Sequence, residues 1–204
     1  MGRKLILKLE YDLTCDSPAE ASGWKLYSFE RGSGVDPRAY VDTLGRPADV
    51  GIRRKLDAGT AFWLSCYDHS SQIWALYGEG PQIDRQWDYI WLAGILVWAG
   101  NPRDLPRGRE ARADAARTFL KTYNLWANGG CYGYVLADAQ GGLVDACWGF
   151  IGIDGSGMDD YINDNLQEGD ELVVVGECAD LVEYLDLKAP VVEGEVETVA
   201  RLRA

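Results

Sequence analysis

The stretch that decides the fold is residues 131–150, which read CYGYVLA, then DAQGG, then LVDACWGF. Two runs of strand-forming residues flank a segment rich in turn-forming residues, and this arrangement is typical of a β-hairpin. Successive side chains of a strand point to opposite faces. If even-numbered residues pair with even-numbered ones, one face becomes a core face made of Tyr132, Tyr134, Leu136, Val144, Ala146, Trp148 and Phe150.

The even-with-even register makes predictions for single residues. Trp148 becomes a core residue, and we expect W148A to cost about 3–5 kcal/mol. Asp145 is expected to bond to helix or loop amides, and its carboxylate would make the neighbouring Cys147 a weaker nucleophile. The opposite face is thin, and we expect a helix to cover it, with a ligand as the alternative. Its members are Cys131, Gly133, Val135, Asp145, Cys147 and Gly149.

The segment before the hairpin predicts the principal helix, at residues 110–127. An apolar stripe runs along it through Ala116, Phe119, Leu120 and Tyr123. Asn128-Gly-Gly130 is typical of a helix C-terminus. Further apolar runs predict strands at 4–11, 24–29, 60–67, 72–77, 87–98 and 171–178, and short helices at 50–57 and 156–166. Gly94 interrupts the run at 87–98 and is expected to form a bulge.

Together these elements predict an α+β fold. We expect a mainly antiparallel sheet of hairpins, with the helix at about 110–127 and one or two short helices packed on it. The length of 204 residues suits a single domain spanning 1–204. We expect the acidic tail after about residue 186 to be flexible.

The composition is that of an ordinary globular protein, with 47% hydrophobic and 25% charged residues. The longest apolar runs are too short for a signal peptide or for the roughly 18 residues of a membrane span. We therefore expect a soluble, cytoplasmic protein with no membrane partner. The five cysteines are odd in number and widely spaced, which favours free thiols over a disulfide framework.

The net charge of −12 is unevenly distributed along the chain. Residues 1–100 carry −2, residues 101–127 carry +3 and residues 128–204 carry −13. Such a C-terminal third repels phosphates, so we expect no direct binding of nucleic acid. A protein or complex with a basic surface would be attracted instead, although a solvated face that aids solubility is the alternative. The predicted partner-binding residues are Asp154, Asp159, Asp160, Asp164 and Glu168.

Asp68 and His69 stand in the predicted turn between two strands, and Asp88 precedes the next strand. A histidine titrates near neutral pH and can transfer protons when a carboxylate orients it. These three residues are the candidate catalytic set if the protein is an enzyme. Turn residues often bond to their own backbone, which is the structural alternative.

No metal site or cofactor is predicted. The chain has one histidine and no closely spaced cysteine pair, so a zinc site lacks ligands. The acidic run Asp154–Asp160 does not keep the spacing of a calcium-binding EF-hand loop. The glycine-rich run Gly152–Gly157 lacks the Lys and Ser/Thr of a phosphate-binding loop.

Five arginines follow one another in the predicted loop and helix: Arg103, Arg107, Arg109, Arg112 and Arg117. They would either contact an anionic partner or, as we expect, neutralise the acidic C-terminal third within the fold.

Several segments together resemble a family of uncharacterised small proteins of bacteriophages and other mobile elements, over residues 8–166. The segments are Leu9-Glu-Tyr-Asp12, Ser17-Pro18, Tyr67-Asp-His-Ser70, Trp87-Asp88, Cys131-Tyr-Gly-Tyr134 and Asp145-Ala-Cys-Trp-Gly-Phe-Ile-Gly152. An aromatic-His stretch that the family carries after Ser17-Pro18 is absent.

The family has no established activity, so the resemblance carries over no catalytic residues. It implies an accessory protein that acts in the cytoplasm of a bacterial host. With the charge distribution, it predicts protein–protein interaction, as an acidic inhibitor of a host nucleic-acid-binding defence complex. The alternative is a small enzyme of unknown reaction with a site near Asp68 and His69.

Overall fold

A computed structural model of the chain describes residues 2–29, 37–41, 46, 50–80 and 88–192. The fold is α+β, as the sequence predicts, with two four-stranded sheets and four α-helices in the described part. The chain divides into two compact units. Unit 1 contains residues 1–16 and 129–204, and unit 2 contains residues 17–128. Whether the units act as a single domain stays a prediction.

Unit 1 is built on a sheet with the strand order β7-β6-β1-β8. Its elements are β1 (Lys4–Tyr11), β6 (Cys131–Asp138), β7 (Leu143–Ile151), α4 (Met158–Asp164) and β8 (Glu171–Val175). β1 pairs antiparallel with β6 and parallel with β8. Leu5, Leu7 and Leu9 alternate along β1 and form one core with Met158 and Ile162 of α4. The helix therefore packs on the sheet face that these leucines share.

A bulge at Gly149 changes the register of the β6–β7 hairpin. Tyr132 pairs with Phe150, as the even-with-even register requires, but Tyr134 pairs with Cys147. Gly149 has a φ of 89°, which a residue with a side chain rarely adopts. A bulge inserts one unpaired residue, so the side chains of β7 from Gly149 back to Asp145 change face. A second register shift, between Leu136 and Ala137, ends this reversal, and Val144 packs on the core as predicted.

The prediction that Trp148 is a core residue is therefore wrong. Trp148 is 45% exposed, and its ring lies over Gly133, where an added Cβ would come within 2.0 Å of it. Phe150 is buried, so we expect the loss of about 3–5 kcal/mol of stability from F150A and not from W148A. Asp145 pairs with Leu136 and turns towards the core face, together with Cys147.

Unit 2 is built on an antiparallel sheet with the strand order β2-β5-β3-β4. Its elements are α1 (Pro18–Ala21), β2 (Trp24–Ser28), α2 (Val50–Ala58), β3 (Ala61–Asp68), β4 (Gln72–Leu76), β5 (Tyr89–Trp98) and α3 (Arg109–Ala127). The register of β5 against β3 shifts beside Gly94, which confirms the predicted irregularity. Gly94 also admits β2, because an added Cβ would lie 2.5 Å from the Tyr27 oxygen.

The predicted apolar stripe of the principal helix is confirmed. Ala116, Phe119 and Leu120 are buried against the sheet, and Tyr123 packs beside them. Gly129 follows the helix with a φ of 78°, as a C-terminal cap requires. The predicted strands and helices are all present, with ends that differ by at most three residues.

The chain beyond Asp186 is described as far as Val192. The Leu172 amide donates to the Pro190 oxygen at 3.0 Å, and the Val192 amide donates to the Leu172 oxygen at 2.8 Å. This part of the acidic tail thus lies along β8, and the rest falls outside the described residues. None of the helices in the described part is both long and apolar enough to cross a membrane.

Candidate functional site

The five carboxylates predicted to bind a partner lie on α4 or beside it. Asp154 precedes the helix, three of the residues belong to it, and Glu168 follows it. All except Asp159 are exposed, and Asp159 is half-buried. Within the described part of the chain, none of the five forms an ion pair. The set is Asp154, Asp159, Asp160, Asp164 and Glu168, and we call it the acidic face.

The periodicity of α4 explains this exposure. Met158 and Ile162 are four residues apart, are fully buried and fix the inner side of the helix. Asp160 and Asp164 have the same spacing and lie on the outer side. Like charges at this spacing destabilise a helix by about 0.2–0.5 kcal/mol. Asp160 also lies in the first turn of α4, where the helix dipole favours a negative charge by about 0.3–1 kcal/mol, so the two effects largely offset each other.

Two asparagines fix α4 to the rest of unit 1. Asn163 is buried. Its Nδ2 donates to the backbone oxygen of Asp186 at 2.8 Å, and its Oδ1 accepts from the backbone amide of Lys188 at 2.8 Å. Asn165, at the end of the helix, donates to Asp145 of β7 at 3.0 Å. Bonds on both sides hold α4, with Asp159, Asp160 and Asp164, in one orientation. Asp145 was predicted to bond to helix or loop amides, and its amide partner is the side chain of Asn165.

Asp145 also accepts a hydrogen bond from the hydroxyl of Tyr134. Burial raises the pKa of Tyr134 above its usual range, and the Asp145 carboxylate raises it further. The phenol therefore stays protonated at neutral pH and serves as a donor. This network was not predicted, because the bulge that brings the two side chains to one face is not visible in the pattern.

The excess negative charge of the protein lies in unit 1. The sequence of unit 1 contains 19 Asp/Glu and 6 Lys/Arg, for a net charge of −13, and unit 2 contains 13 and 14, for +1. One carboxylate of unit 1, Asp170, is 2% exposed and is bonded to Arg3. The acidic face, in contrast, is available to a partner.

The structure brings together two of the three candidate catalytic residues. His69 Nδ1 lies 3.3 Å from Asp88 Oδ2. The backbone amide of Asp68 donates to the backbone oxygen of Asp88 at 2.8 Å. The carboxylate of Asp68, however, faces Gln72, whose Nε2 is 3.5 Å away. The His69 side chain is 64% exposed. Asp88 can orient the imidazole for proton transfer, but water screens the pair.

The expectation that the five arginines neutralise the acidic C-terminal third is wrong for two of them. Arg117 bonds to Glu79 and to Asp114, at 2.8 and 2.6 Å, within unit 2. Arg112 donates to the backbone oxygens of Pro106 and Ala58. These side chains fix elements of their own unit.

Two further chemical features concern catalysis and metal binding. Burial, and then a hydrogen bond with Cys15, raises the pKa of Cys131 to about 12, so this thiol is a poor nucleophile at neutral pH. Among the residues that the structure describes, no group of three or more His, Cys, Asp or Glu side chains is placed to hold a metal ion.

Comparison of the chain with protein-family models, with curated proteins and with solved structures finds no match in any of the three.

Proposed function

We propose that the protein works by binding a partner with a basic surface through the acidic face of unit 1. The observation that carries this proposal is that four of the five carboxylates are exposed on or beside α4, a helix whose orientation is fixed by Asn163 and Asn165. Fixed carboxylates can match a pattern of basic groups at a lower entropic cost than mobile ones.

The charge distribution supports the choice of partner. A net charge of −13 in one unit attracts a basic surface over distances of about one Debye length, roughly 8 Å at physiological salt. Basic surfaces of this kind are typical of proteins that bind nucleic acids. With the resemblance to phage and mobile-element proteins, this supports an accessory protein that occupies the nucleic-acid groove of a host defence complex.

The test is capture of partners from bacterial lysate at low salt, followed by elution at high salt and mass spectrometry. We expect the protein to capture a basic nucleic-acid-binding complex. High salt should release this complex from the protein, and added double-stranded DNA should compete with the protein for it. The variant D154N/D159N/D160N/D164N/E168Q should retain much less of it, because attraction falls as the charges are removed. Equal retention by this variant, or failure of DNA to compete, would contradict the proposal.

A matched control separates position from total charge. D160N/D164N removes two exposed carboxylates of the acidic face, and E20Q/D104N removes two exposed carboxylates of unit 2. Only the first pair should weaken binding measurably. Equal weakening by both pairs would indicate an effect of net charge without a defined site.

The contact of His69 with Asp88 favours one second candidate, a small enzyme of unknown reaction. A screen of the purified protein against model esters, phosphodiesters and glycosides tests it. H69A should then abolish any activity found, and D88N should lower it by about 10²-fold or more, since general catalysis contributes roughly 10²–10⁴. Activity that survives H69A would rule out this site.

A further inference from the structure

Unit 2 contains a pocket of about 300 Å³. It lies between the end of α2, the first residues of β3, the end of β4 and the first turns of α3. This volume is at the lower end of the range for small-molecule sites, which fits a ligand of about the size of an amino acid.

The floor of the pocket is apolar. Buried side chains from three elements form it, namely Ala61, Phe62, Leu76 and Ala113. Trp63 and Tyr77 form an aromatic wall, and Tyr77 is 56% exposed. The Tyr77 ring also leans on Trp91, at 6.2 Å between centroids, which limits its movement. Such a floor and wall favour an aliphatic or aromatic group.

On one wall of the pocket, the charged side chains already bond to one another. Arg117 donates to both carboxylate oxygens of Glu79, at 2.9 and 2.8 Å, and to Asp114 at 2.6 Å. The same contacts raise the pKa of Arg117 and lower that of Glu79. Arg117 therefore ties the turn after β4 to α3, and this wall is formed before any ligand binds.

Glu110 also lines the pocket and is bonded to Arg117 at 3.3 Å. The two other charged side chains of the lining have opposite signs. Asp57 ends α2 and Arg109 begins α3. In the part of the chain that the structure describes, neither forms a salt bridge or a side-chain hydrogen bond. Gly59, with a φ of 69°, lets Arg109 approach α2, because an added Cβ would lie 2.9 Å from Arg109 Cγ.

We propose that this pocket binds a small zwitterion, an α-amino acid with an aromatic or aliphatic side chain. Arg109 pairs with its carboxylate and Asp57 with its ammonium group, while the side chain packs on Trp63 and Tyr77. The three parts of the ligand thus match the three kinds of surface that the pocket offers. This inference is independent of the acidic face, which lies in the other unit.

The first measurement is calorimetric titration of the full chain with L-phenylalanine and with L-leucine. L-phenylalanine amide lacks the carboxylate and N-acetyl-L-phenylalanine lacks the ammonium group. Each derivative should bind about tenfold more weakly than phenylalanine, because one charge-assisted contact is lost. The absence of binding by both amino acids at millimolar concentration would overturn the proposal, as would equal affinity for the derivatives.

Variants assign each charged group to its residue. D57N should weaken phenylalanine by about tenfold and leave the N-acetyl derivative unchanged, since that ligand has no ammonium group. R109Q should weaken phenylalanine by about tenfold and leave the amide unchanged, since the amide has no carboxylate. The controls are D104N and R103Q, which change exposed charges of the same unit outside the pocket. A loss in the controls equal to that in D57N and R109Q would overturn the assignment.

Discussion

At the scale of single residues, carboxylates of unit 1 fall into two groups. The Asp170 carboxylate accepts from the backbone amide of Arg3 at 2.8 Å and from the backbone amide of Gln167 at 2.9 Å. It also accepts from the guanidinium group of Arg3. These bonds hold the pKa of Asp170 well below its usual range, with the Arg3 side chain as the largest cause. Among the residues that the structure describes, Asp160 and Asp164 have no such partners, so the same residue type is tied into the fold in one place and exposed in another.

The lowered pKa of Asp170 makes a prediction about pH. The group contributes stability above its unfolded pKa of about 3.9, and this contribution is lost as pH falls towards the folded value. At pH 7, D170N should therefore unfold at a lower urea concentration than the parent protein. This gap between the two urea midpoints should narrow between about pH 4 and pH 2. Urea melts across this range measure it, with E168Q as the exposed control. A gap independent of pH would contradict the assignment.

At the scale of elements, the outer edge of β4 is covered by one side chain of α3, Asn124, and by Asn128 directly after the helix. The Trp74 amide donates to Asn124 Oδ1, and Asn124 Nδ2 donates to the Trp74 oxygen, both at 2.9 Å. Asn128 repeats the exchange with Gln72, at 2.8 Å for both bonds. Four helical residues rise about 6 Å and two strand residues about 6.8 Å, so the spacings match. The helix thus replaces a neighbouring strand.

We expect N124A to lower the stability of the protein by about 1–3 kcal/mol, because it leaves the amide and carbonyl of Trp74 without partners. N124A/N128A should also self-associate through the uncovered edge. Denaturant melts and light scattering measure the two effects. T118A, a change on the same helix at an exposed position, should stay within about 0.5 kcal/mol of the parent. A loss in T118A as large as that in N124A would contradict the role of the amide bonds.

At the scale of the whole molecule, unit 2 is one continuous segment, and unit 1 is formed by the residues before and after it. Within unit 1 the Asp12 amide donates to the Cys131 oxygen at 2.8 Å, so the two ends of unit 1 that lead to the segment lie near each other. Close junctions are typical of an inserted segment that folds by itself.

Residues 17–128 alone should therefore fold, with a cooperative urea transition and a stability of roughly 5–15 kcal/mol. Circular dichroism and a two-dimensional NMR spectrum measure this. A shorter segment, 17–98, lacks α3 and the buried Phe119 and Leu120, so it should stay unfolded. An unfolded 17–128 would instead support a single domain over 1–204.

The elements with strong local patterns could be predicted from the sequence. Lys4–Tyr11 alternates over a full strand, and α3 combines an apolar stripe with a glycine at its end. The acidic face was predicted from composition, since a charged residue without a partner stays at the surface. Its fixed orientation could not be predicted, because it depends on Asn163 and Asn165 meeting residues more than 15 positions away.

The sequence by itself determined the fold class, the positions of the strands and helices, and the acidic character of the last third, because these follow from propensity, periodicity and charge along the chain. Only the tertiary structure decided which face Trp148 occupies and which carboxylates Arg117 holds. One bulged residue at Gly149 reverses the side chains from Trp148 to Asp145, and ion-pair partners depend on elements that are distant in sequence. Local patterns carry no information about either.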